Sequence, residues 1–343
     1  MYPQIKIHLS LLSLVIFIMA GIALFLGVYQ FNDSILSIIN NAISNKSAIN
    51  ESDFYVLFEL RLPRIIMAIL VGSGLAVAGT CLQGIFKNPL ASPDLIGVTS
   101  GSILFAAVTI VLGGYIKNFV PEIIHYSLLS IMAFVGAMCS TVFVYKISSH
   151  QHKTNVTILL LAGVAISALC GAATGLLTYL STEEELRNLT FWTLGSIASA
   201  NWDKILILSV VIVVSFFFLI RKGKILNAMM LGEKDAEHLG INVEKTKKQI
   251  IIFSALLVGT IVAFSGTIGF VGLIVPYILR LIFKSNYVII LPLSAFLGAI
   301  LVIVADTISR TVVAPSEIPI GILTSLMGAP VFISILMNYK KSL

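Results

Sequence analysis

A series of long uncharged apolar runs limits what this chain can fold into more than any other feature of its sequence. The nine runs are residues 9–29, 65–82, 95–116, 126–145, 156–180, 205–220, 250–279, 288–305 and 318–337. A helix of about 20 apolar residues spans the hydrocarbon core of a bilayer, so each run is a candidate transmembrane helix. Asp, Glu, Lys and Arg make up 11% of the chain, against about 25% in soluble domains. The sequence therefore predicts an all-α, polytopic membrane protein.

The seventh run, residues 250–279, is too long for one straight span. Its second half reads SGTIGFVGLIVPYILR and places Gly266, Gly269, Gly272 and Pro276 close together. Such a sequence fits either a tight reversal between a full span and a shorter one, or a single kinked helix. The choice decides whether the chain has ten spans or nine.

The distribution of charge favours ten transmembrane helices with both termini in the cytoplasm. In that arrangement 15 basic residues lie inside and 7 outside, whereas 5 acidic residues lie inside and 11 outside. Basic residues concentrate on the cytoplasmic side of membrane proteins, so this split has the expected direction. Nine spans would place Lys340 and Lys341 outside. We interpret residues 1–343 as one transmembrane domain whose net positive charge belongs to cytoplasmic loops, and we expect no nucleic-acid partner.

Two arginines flank a proline in FELRLPRIIMAIL, residues 58–70, where a charged segment becomes apolar. The unpaired N–H groups of a helix N-terminus carry partial positive charge, so Arg64, one residue after Pro63, would sit where a cation is disfavoured. The sequence thus predicts an anionic partner for Arg64. In the alternative interpretation, Arg61 pairs with Glu59 and Arg64 reaches a lipid phosphate.

Signatures of catalysis are absent from the sequence. There is no GxxxxGK[ST] phosphate loop, and the pair Gly223 and Lys224 is followed by isoleucine. The five histidines are scattered and the three cysteines are isolated in apolar segments, which predicts no metal site. We expect that the chain is not an enzyme, that it binds no cofactor, and that any ATP is hydrolysed by a partner subunit.

Small and hydroxyl residues form stripes on two of the predicted helices. They are Gly163, Ser167, Gly171, Thr174 and Thr178 on one helix and Gly321, Thr324 and Gly328 on the last. Spacings of three and four place each set on one helical face. Such stripes either allow close helix packing or line a mildly polar translocation pathway. No acid occurs within the runs, which argues against coupling to protons or sodium, and Asp306, just after the eighth run, is interpreted as the helix partner of Arg310.

Five blocks of sequence together resemble the FecCD family, the permease subunits of ABC importers for iron-siderophore, haem and cobalamin. The blocks are residues 60–102, 159–163, 231–243, 265–280 and 317–336, including LLLAG, LGEKDAEHLGINV and EIPIGILTSLMGAPVFISIL. The resemblance implies a homodimer of ten-span chains, two cytoplasmic ATPase subunits and an extracytoplasmic substrate-binding protein. It also implies a bacterial cytoplasmic membrane. The chain departs from the family at Tyr277, where histidine is common, so we expect no role specific to a histidine there.

The resemblance also implies roles for two groups of residues. Arg61, Arg64 and Arg310 resemble arginines that receive glutamates of the binding protein. The polar segment 221–249 resembles the one that holds a coupling helix seated in a groove of the ATPase. The coupling residues would be Gly232, Glu233, Ala236, Leu239 and Gly240. A plain solvated loop is the alternative for this segment.

The sequence thus predicts the permease subunit of a binding-protein-dependent ABC importer for a ferric siderophore, haem or cobalamin-type cargo. The alternative is a secondary transporter or channel that works without ATP. Such a protein would be expected to show an acid pair within the membrane or paired broken helices in matched halves. A membrane-embedded enzyme is disfavoured because no nucleophile, base or metal cluster is present.

Overall fold

The computed structural model describes residues 3–43, 50–151 and 153–341, and these residues are mostly helical. The helices are α1 (Pro3–Phe25), α2 (Ile35–Ile43), α3 (Glu51–Tyr55), α4 (Leu62–Phe86), α5 (Val98–Val111), α6 (Gly113–Lys117), α7 (Leu128–Ser148), α8 (Val156–Leu180), α9 (Glu183–Leu194), α10 (Trp202–Leu219), α11 (Gly223–Leu231), α12 (Glu233–His238), α13 (Val243–Ser265), α14 (Val271–Phe283), α15 (Tyr287–Thr311) and α16 (Ile320–Lys341). A short antiparallel hairpin, Ser149–His150 with Lys153–Thr154, joins α7 to α8. The predicted all-α fold is confirmed.

Ten helical segments of the described residues are strongly apolar. Seven are long enough to cross a membrane: Lys6–Phe25, Glu51–Phe86, Leu128–Ser148, Val156–Leu180, Trp202–Leu231, Val243–Ser265 and Tyr287–Thr311. Three are shorter: Val98–Val111, Val271–Phe283 and Ile320–Ser334. Every predicted apolar run overlaps at least one of these segments, so the chain has a polytopic membrane fold.

The long seventh run is divided between two helices, because α13 ends at Ser265 and α14 begins at Val271. Gly266 follows α13 with a φ of +66°, in the region that favours glycine. A Cβ at this position would lie 2.1 Å from the carbonyl oxygen of Trp192. Pro276 lies inside α14, beyond the break. The predicted division is confirmed, and it falls where a neighbouring backbone leaves no room for a side chain.

Helix α4 forms the centre of the bundle and packs against α10, α13, α14 and α15. Two glycines on α4 make close backbone contacts. A Cβ at Gly72 would lie 2.2 Å from the carbonyl oxygen of Gly298 in α15, and one at Gly79 would lie 1.9 Å from that of Gly272 in α14. Helix backbones approach this closely where small residues face each other, so these contacts set where α14 and α15 cross α4.

The segment that contains Arg61 and Arg64 differs from the sequence expectation of a helix start. Helix α3, a π-helical turn at Val56–Arg61 and α4 follow one another without a break, so the helical segment runs over Glu51–Phe86. The π turn lies just before Pro63, which has no N–H to donate to that turn. Arg64 therefore lies inside a helix, and the unfavourable interaction with a helix N-terminus does not arise.

Candidate functional site

Ion pairs join three segments at the Arg64 end of α4. Both terminal nitrogens of Arg64 contact the carboxylate of Glu317, at 2.7 Å and 2.9 Å. Its Nε lies 2.9 Å from Oδ1 of Asp306 on α15. The other carboxylate oxygen of Asp306 lies 3.7 Å from Nε of Arg310, one helical turn further on. These contacts tie α4 to α15 and to the loop that leads into α16.

Hydrogen bonds from two arginines fasten the end of α1 and the loop that follows it to the same cluster. Arg310 donates a hydrogen bond to the carbonyl oxygen of Ala23 in the last turn of α1. Arg61 donates to the carbonyl oxygens of Leu24, Phe25 and Tyr29. The last carbonyls of a helix have no partner within it and carry partial negative charge, so they suit guanidinium donors. We call Arg61, Arg64, Asp306, Arg310 and Glu317 the arginine cluster.

The predicted anionic partner of Arg64 is confirmed, and the anions are acids of this chain. Asp306 lies closer to Arg64 than to Arg310, so its interpretation as a simple partner of Arg310 was incomplete. Arg61 and Arg310 are buried and Asp306 is 2% exposed, whereas the Glu317 side chain is 39% exposed. The three arginines predicted for docking thus lie together, and docking itself stays a prediction.

The predicted coupling segment is largely helical at the opposite end of α4. There, Gly84 of α4 faces Leu226 of α11 and Tyr287 of α15. Gly232 separates α11 from α12, and Gly240, with a φ of +80°, follows α12. The N–H groups of Gly240 and Ile241 donate to the carbonyls of Glu237 and Ala236, which is the Schellman arrangement that ends many helices at glycine.

One face of α12 is packed and the other is free. Ala236 is fully buried with Met229 of α11 and Val243 of α13. Leu239, just after α12, is 67% exposed, and Leu231, just before it, is 76% exposed. The predicted short helix between two glycines is therefore confirmed as structure. It is held on its inner side by Ala236, and exposed leucines flank it at both ends.

The stripe on α8 packs at one end and is open at the other. A Cβ on Gly163 would lie 1.8 Å from the carbonyl oxygen of Leu95, and the hydroxyls of Ser167 and Ser100 lie 3.1 Å apart. A Cβ added at Gly171 would have no neighbouring atom within 4 Å. Thr178 donates to the carbonyl of Thr174 in the preceding turn, at 2.8 Å. Close helix packing accounts for Gly163 and Ser167.

A cleft of about 760 Å³ opens among α4, α9, α13, α14 and α16. Its polar lining residues are Ser92, Asp94, Thr99, Thr193, Thr267 and Ser325. The other described lining residues are apolar or glycine, and none is lysine, arginine or histidine. The carboxylate of Asp94 accepts hydrogen bonds from Ser92, at 3.3 Å, and from Thr99. The cleft is thus mildly polar and carries one acidic group.

The stripe on α16 meets this cleft in part. Gly321 lines it, whereas Thr324 is buried and Gly328 packs against Phe270. The small residues of α16 that line the cleft, four positions apart, are Gly321, Ser325 and Ala329. Sequence reasoning missed Ser325, although small residues at a spacing of four were the available signal. No residue of the α8 stripe is among the described lining residues.

Comparison with known proteins identifies the relatives of this chain. The FecCD transport family matches residues 12–338. The hemin transport system permease protein of Yersinia pestis is 38% identical over 339 residues, which cover 99% of this chain and 97% of that protein. The molybdate import system permease protein of Haemophilus influenzae is 36% identical over 341 residues, with coverage of 99% and 97%. The vitamin B12 import system permease protein of Vibrio cholerae is 38% identical over 300 residues, 88% of each chain.

A solved structure agrees with these matches. It is described as an inward-facing conformation of a metal-chelate type ABC transporter, with a TM-score of 0.80 and 34% sequence identity. The alignment covers 98% of this chain and 99% of that chain.

The multi-span helical fold around a mildly polar cleft is that of a membrane permease. This chain belongs to the FecCD transport family and is the permease subunit of an ABC importer. Subunits of this kind are not enzymes themselves, and the ATPase resides on separate subunits. The family resemblance inferred from the five blocks is confirmed, and a secondary transporter or channel is not favoured.

Proposed function

We propose that this permease imports a bulky chelate of the ferric-siderophore, haem or cobalamin type. The observation that carries the proposal is the chemistry of the cleft. Its described lining is mainly apolar, with hydroxyl groups and Asp94 but no basic side chain. A small oxyanion that leaves water needs cationic or N–H donors, whereas a large chelate encloses its metal charge and can pass along an apolar wall. This chemistry favours a chelate over the molybdate named for one relative.

The proposed importer contains two copies of this chain, two cytoplasmic ATPase subunits and an extracytoplasmic substrate-binding protein, in a bacterial cytoplasmic membrane. The surface of α16 supports a second copy. Leu326 and Ile333 line the cleft and are also exposed, at 66% and 56%. An apolar helix beside a cleft provides a surface on which a second copy can complete the pathway.

We further propose that the ten apolar segments are ten spans and that both termini are cytoplasmic. The arginine cluster then lies on the outer side, while the α11 end of the Trp202–Leu231 span and α12 lie on the cytoplasmic side, in agreement with the distribution of basic residues. Three of the ten helices have fewer than 18 residues in their apolar part. Short helices can still span when neighbouring helices surround them and the flanking loops lie within protein.

Cysteine labelling tests this topology. In a variant whose three native cysteines are replaced, Glu184→Cys should react with a membrane-impermeant thiol reagent in intact cells. Lys234→Cys should react after the membrane is permeabilised, because α12 faces the cytoplasm. The native cysteines must be removed first, since Cys139 is exposed. Labelling of Lys234→Cys in intact cells would exclude the ten-span arrangement.

Docking of the binding protein at the arginine cluster is part of the proposal. In the ten-span arrangement this cluster lies on the outer side. Arg61 and Arg310 are buried and already bond to carbonyl groups of α1, whereas Arg64 shares the partly exposed Glu317. An incoming glutamate can therefore reach Arg64 most directly beside Glu317. We assign docking to this edge of the cluster.

Coupling to the ATPase is assigned to α12 and its flanking leucines. The buried Ala236 anchors this helix to α11 and α13, and Leu231 and Leu239 extend from it into solvent. Exposed leucines on a polar segment provide apolar surface for a groove in the ATPase. Movement of the groove would then move α12.

The substitution Leu239→Ser tests the assigned function. A leucine buried on association contributes about 1.5–3 kcal/mol, so its loss should weaken ATPase binding by roughly 10- to 100-fold. Cargo uptake by reconstituted vesicles should fall in parallel. The matched control is Leu186→Ser on α9, also exposed and outside the proposed interface, which should leave both quantities unchanged. Equal behaviour of the two variants would contradict the coupling role.

A further inference from the structure

A buried lysine joins three segments beside α12. The Lys247 side chain on α13 is 3% exposed, and its ammonium lies 2.8 Å from Glu233 of α12 and 3.1 Å from Glu244 of α13. It also lies 3.2 Å from the carbonyl oxygen of Thr154 in the α7–α8 hairpin. These three acceptors match the three donors of an ammonium group.

Both main-chain polar groups of Thr154 hold the hairpin against α13. The N–H of Thr154 donates to the second carboxylate oxygen of Glu244 at 2.7 Å, while its carbonyl accepts from Lys247. Thr154 is buried, so these contacts replace hydration that the peptide has lost. Asn155, the next residue, caps α8 by accepting hydrogen bonds from the N–H groups of Thr157 and Ile158. Thr154 is thus bonded directly to the residue that caps the first turn of α8.

We propose that Lys247 is a positioning residue that connects α12 to the α7–α8 hairpin, so that a movement of α12 displaces the start of α8. The inference rests on the proposed coupling role of α12. A charged side chain at 3% exposure is costly unless it is paired, and here removal of the lysine would leave two carboxylates facing each other. The connection has two parts, from Lys247 to Glu233 and from Lys247 with Glu244 to Thr154.

The two parts can be separated by substitution in the assembled importer in nanodiscs. Lys247→Met breaks both parts, and Glu233→Ala breaks the α12 part alone. Lys248→Met is the matched control, because this neighbouring lysine is exposed. Lys247→Arg restores the positive charge and should rescue part of the coupling. Two quantities are measured: amide hydrogen exchange at residues 149–158 and the amount of cargo imported per ATP hydrolysed.

Lys247→Met should raise amide exchange at Thr154 at least about tenfold, because this N–H depends on an ordered Glu244. It should also lower the cargo imported per ATP. Glu233→Ala should lower the cargo imported per ATP without changing exchange at Thr154. Lys248→Met should change neither quantity.

Other results would overturn the proposal. If Lys247→Met loosens the hairpin while import per ATP stays normal, the lysine only stabilises the fold. If Glu233→Ala imports normally, α12 does not act through Lys247. If Lys247→Met fails to assemble, Glu233→Ala still tests the proposal, because the Glu233 side chain is 40% exposed and its loss should leave the fold intact. If the proposed function itself is wrong, the unsubstituted complex shows no ATP-dependent import. This result distinguishes failure of the proposed function from failure of the role assigned to Lys247.

Discussion

The substitution Asp306→Asn is expected to lower the free energy of unfolding by about 3–5 kcal/mol, the loss that follows when one partner of a buried ion pair is removed. Asp306 is 2% exposed and contacts both Arg64 and Arg310. Without the charge of Asp306, Arg310 still donates a hydrogen bond to the carbonyl of Ala23 in α1 but has lost its carboxylate partner. Arg64 then forms an ion pair with Glu317 alone. Thermal unfolding of the purified protein in detergent measures the effect.

Glu317→Gln is the matched control for this experiment, because it removes the other acid that contacts Arg64. The Glu317 side chain is 39% exposed, so water and salt already screen this pair. The expected loss is about 0.2–1 kcal/mol. If Asp306→Asn and Glu317→Gln lower the free energy of unfolding equally, burial does not determine how much each acid contributes to stability. The same variant tests docking at the Arg64 edge: freeing Arg64 should tighten association with the binding protein, and an unchanged affinity would contradict that assignment.

The second large effect is expected from Gly79→Ala in the central helix α4. The added Cβ would lie 1.9 Å from the carbonyl oxygen of Gly272, a backbone atom that cannot turn aside as a side chain can. Helices α4 and α14 must then separate, at a cost of about 1–3 kcal/mol or more for overpacking. Because α14 and Gly272 border the cleft, import should fall together with thermal stability.

Gly171→Ala provides the control, since Gly171 also lies within an apolar helix but has nothing within 4 Å of the added Cβ. Alanine costs less than glycine in a helix interior, so stability should be unchanged or rise by up to about 0.5–1 kcal/mol. Import should also be unchanged, because Gly171 is not among the described residues that line the cleft. A similar loss in both variants would show that glycine acts through helix flexibility and not through the α4–α14 contact.

Much of the fold follows from the sequence because a bilayer imposes simple requirements on a chain. Every backbone polar group within the hydrocarbon core must bond inside the protein, so long uncharged runs become helices and their positions can be predicted. The break after Ser265 was also predictable, since glycines at the end of a long apolar run disfavour a continuous helix. The five spaced sequence blocks were sufficient to indicate the family, because they combine residues from spans and loops in one order.

The partners of individual side chains were decided by the tertiary structure. A residue's place in the sequence does not reveal that Arg64 meets Glu317, which is 253 positions away. Small-residue stripes on α8 and α16 have similar spacing, and Gly163 and Gly321 both pack against a neighbouring backbone, yet of these two glycines only Gly321 is among the described residues that line the cleft. Lys247 and Lys248 are adjacent, but one is buried among acids and the other is exposed. Local pattern and hydrophobicity determine which segments become helices, whereas the function of each helical face depends on which neighbour packs against it.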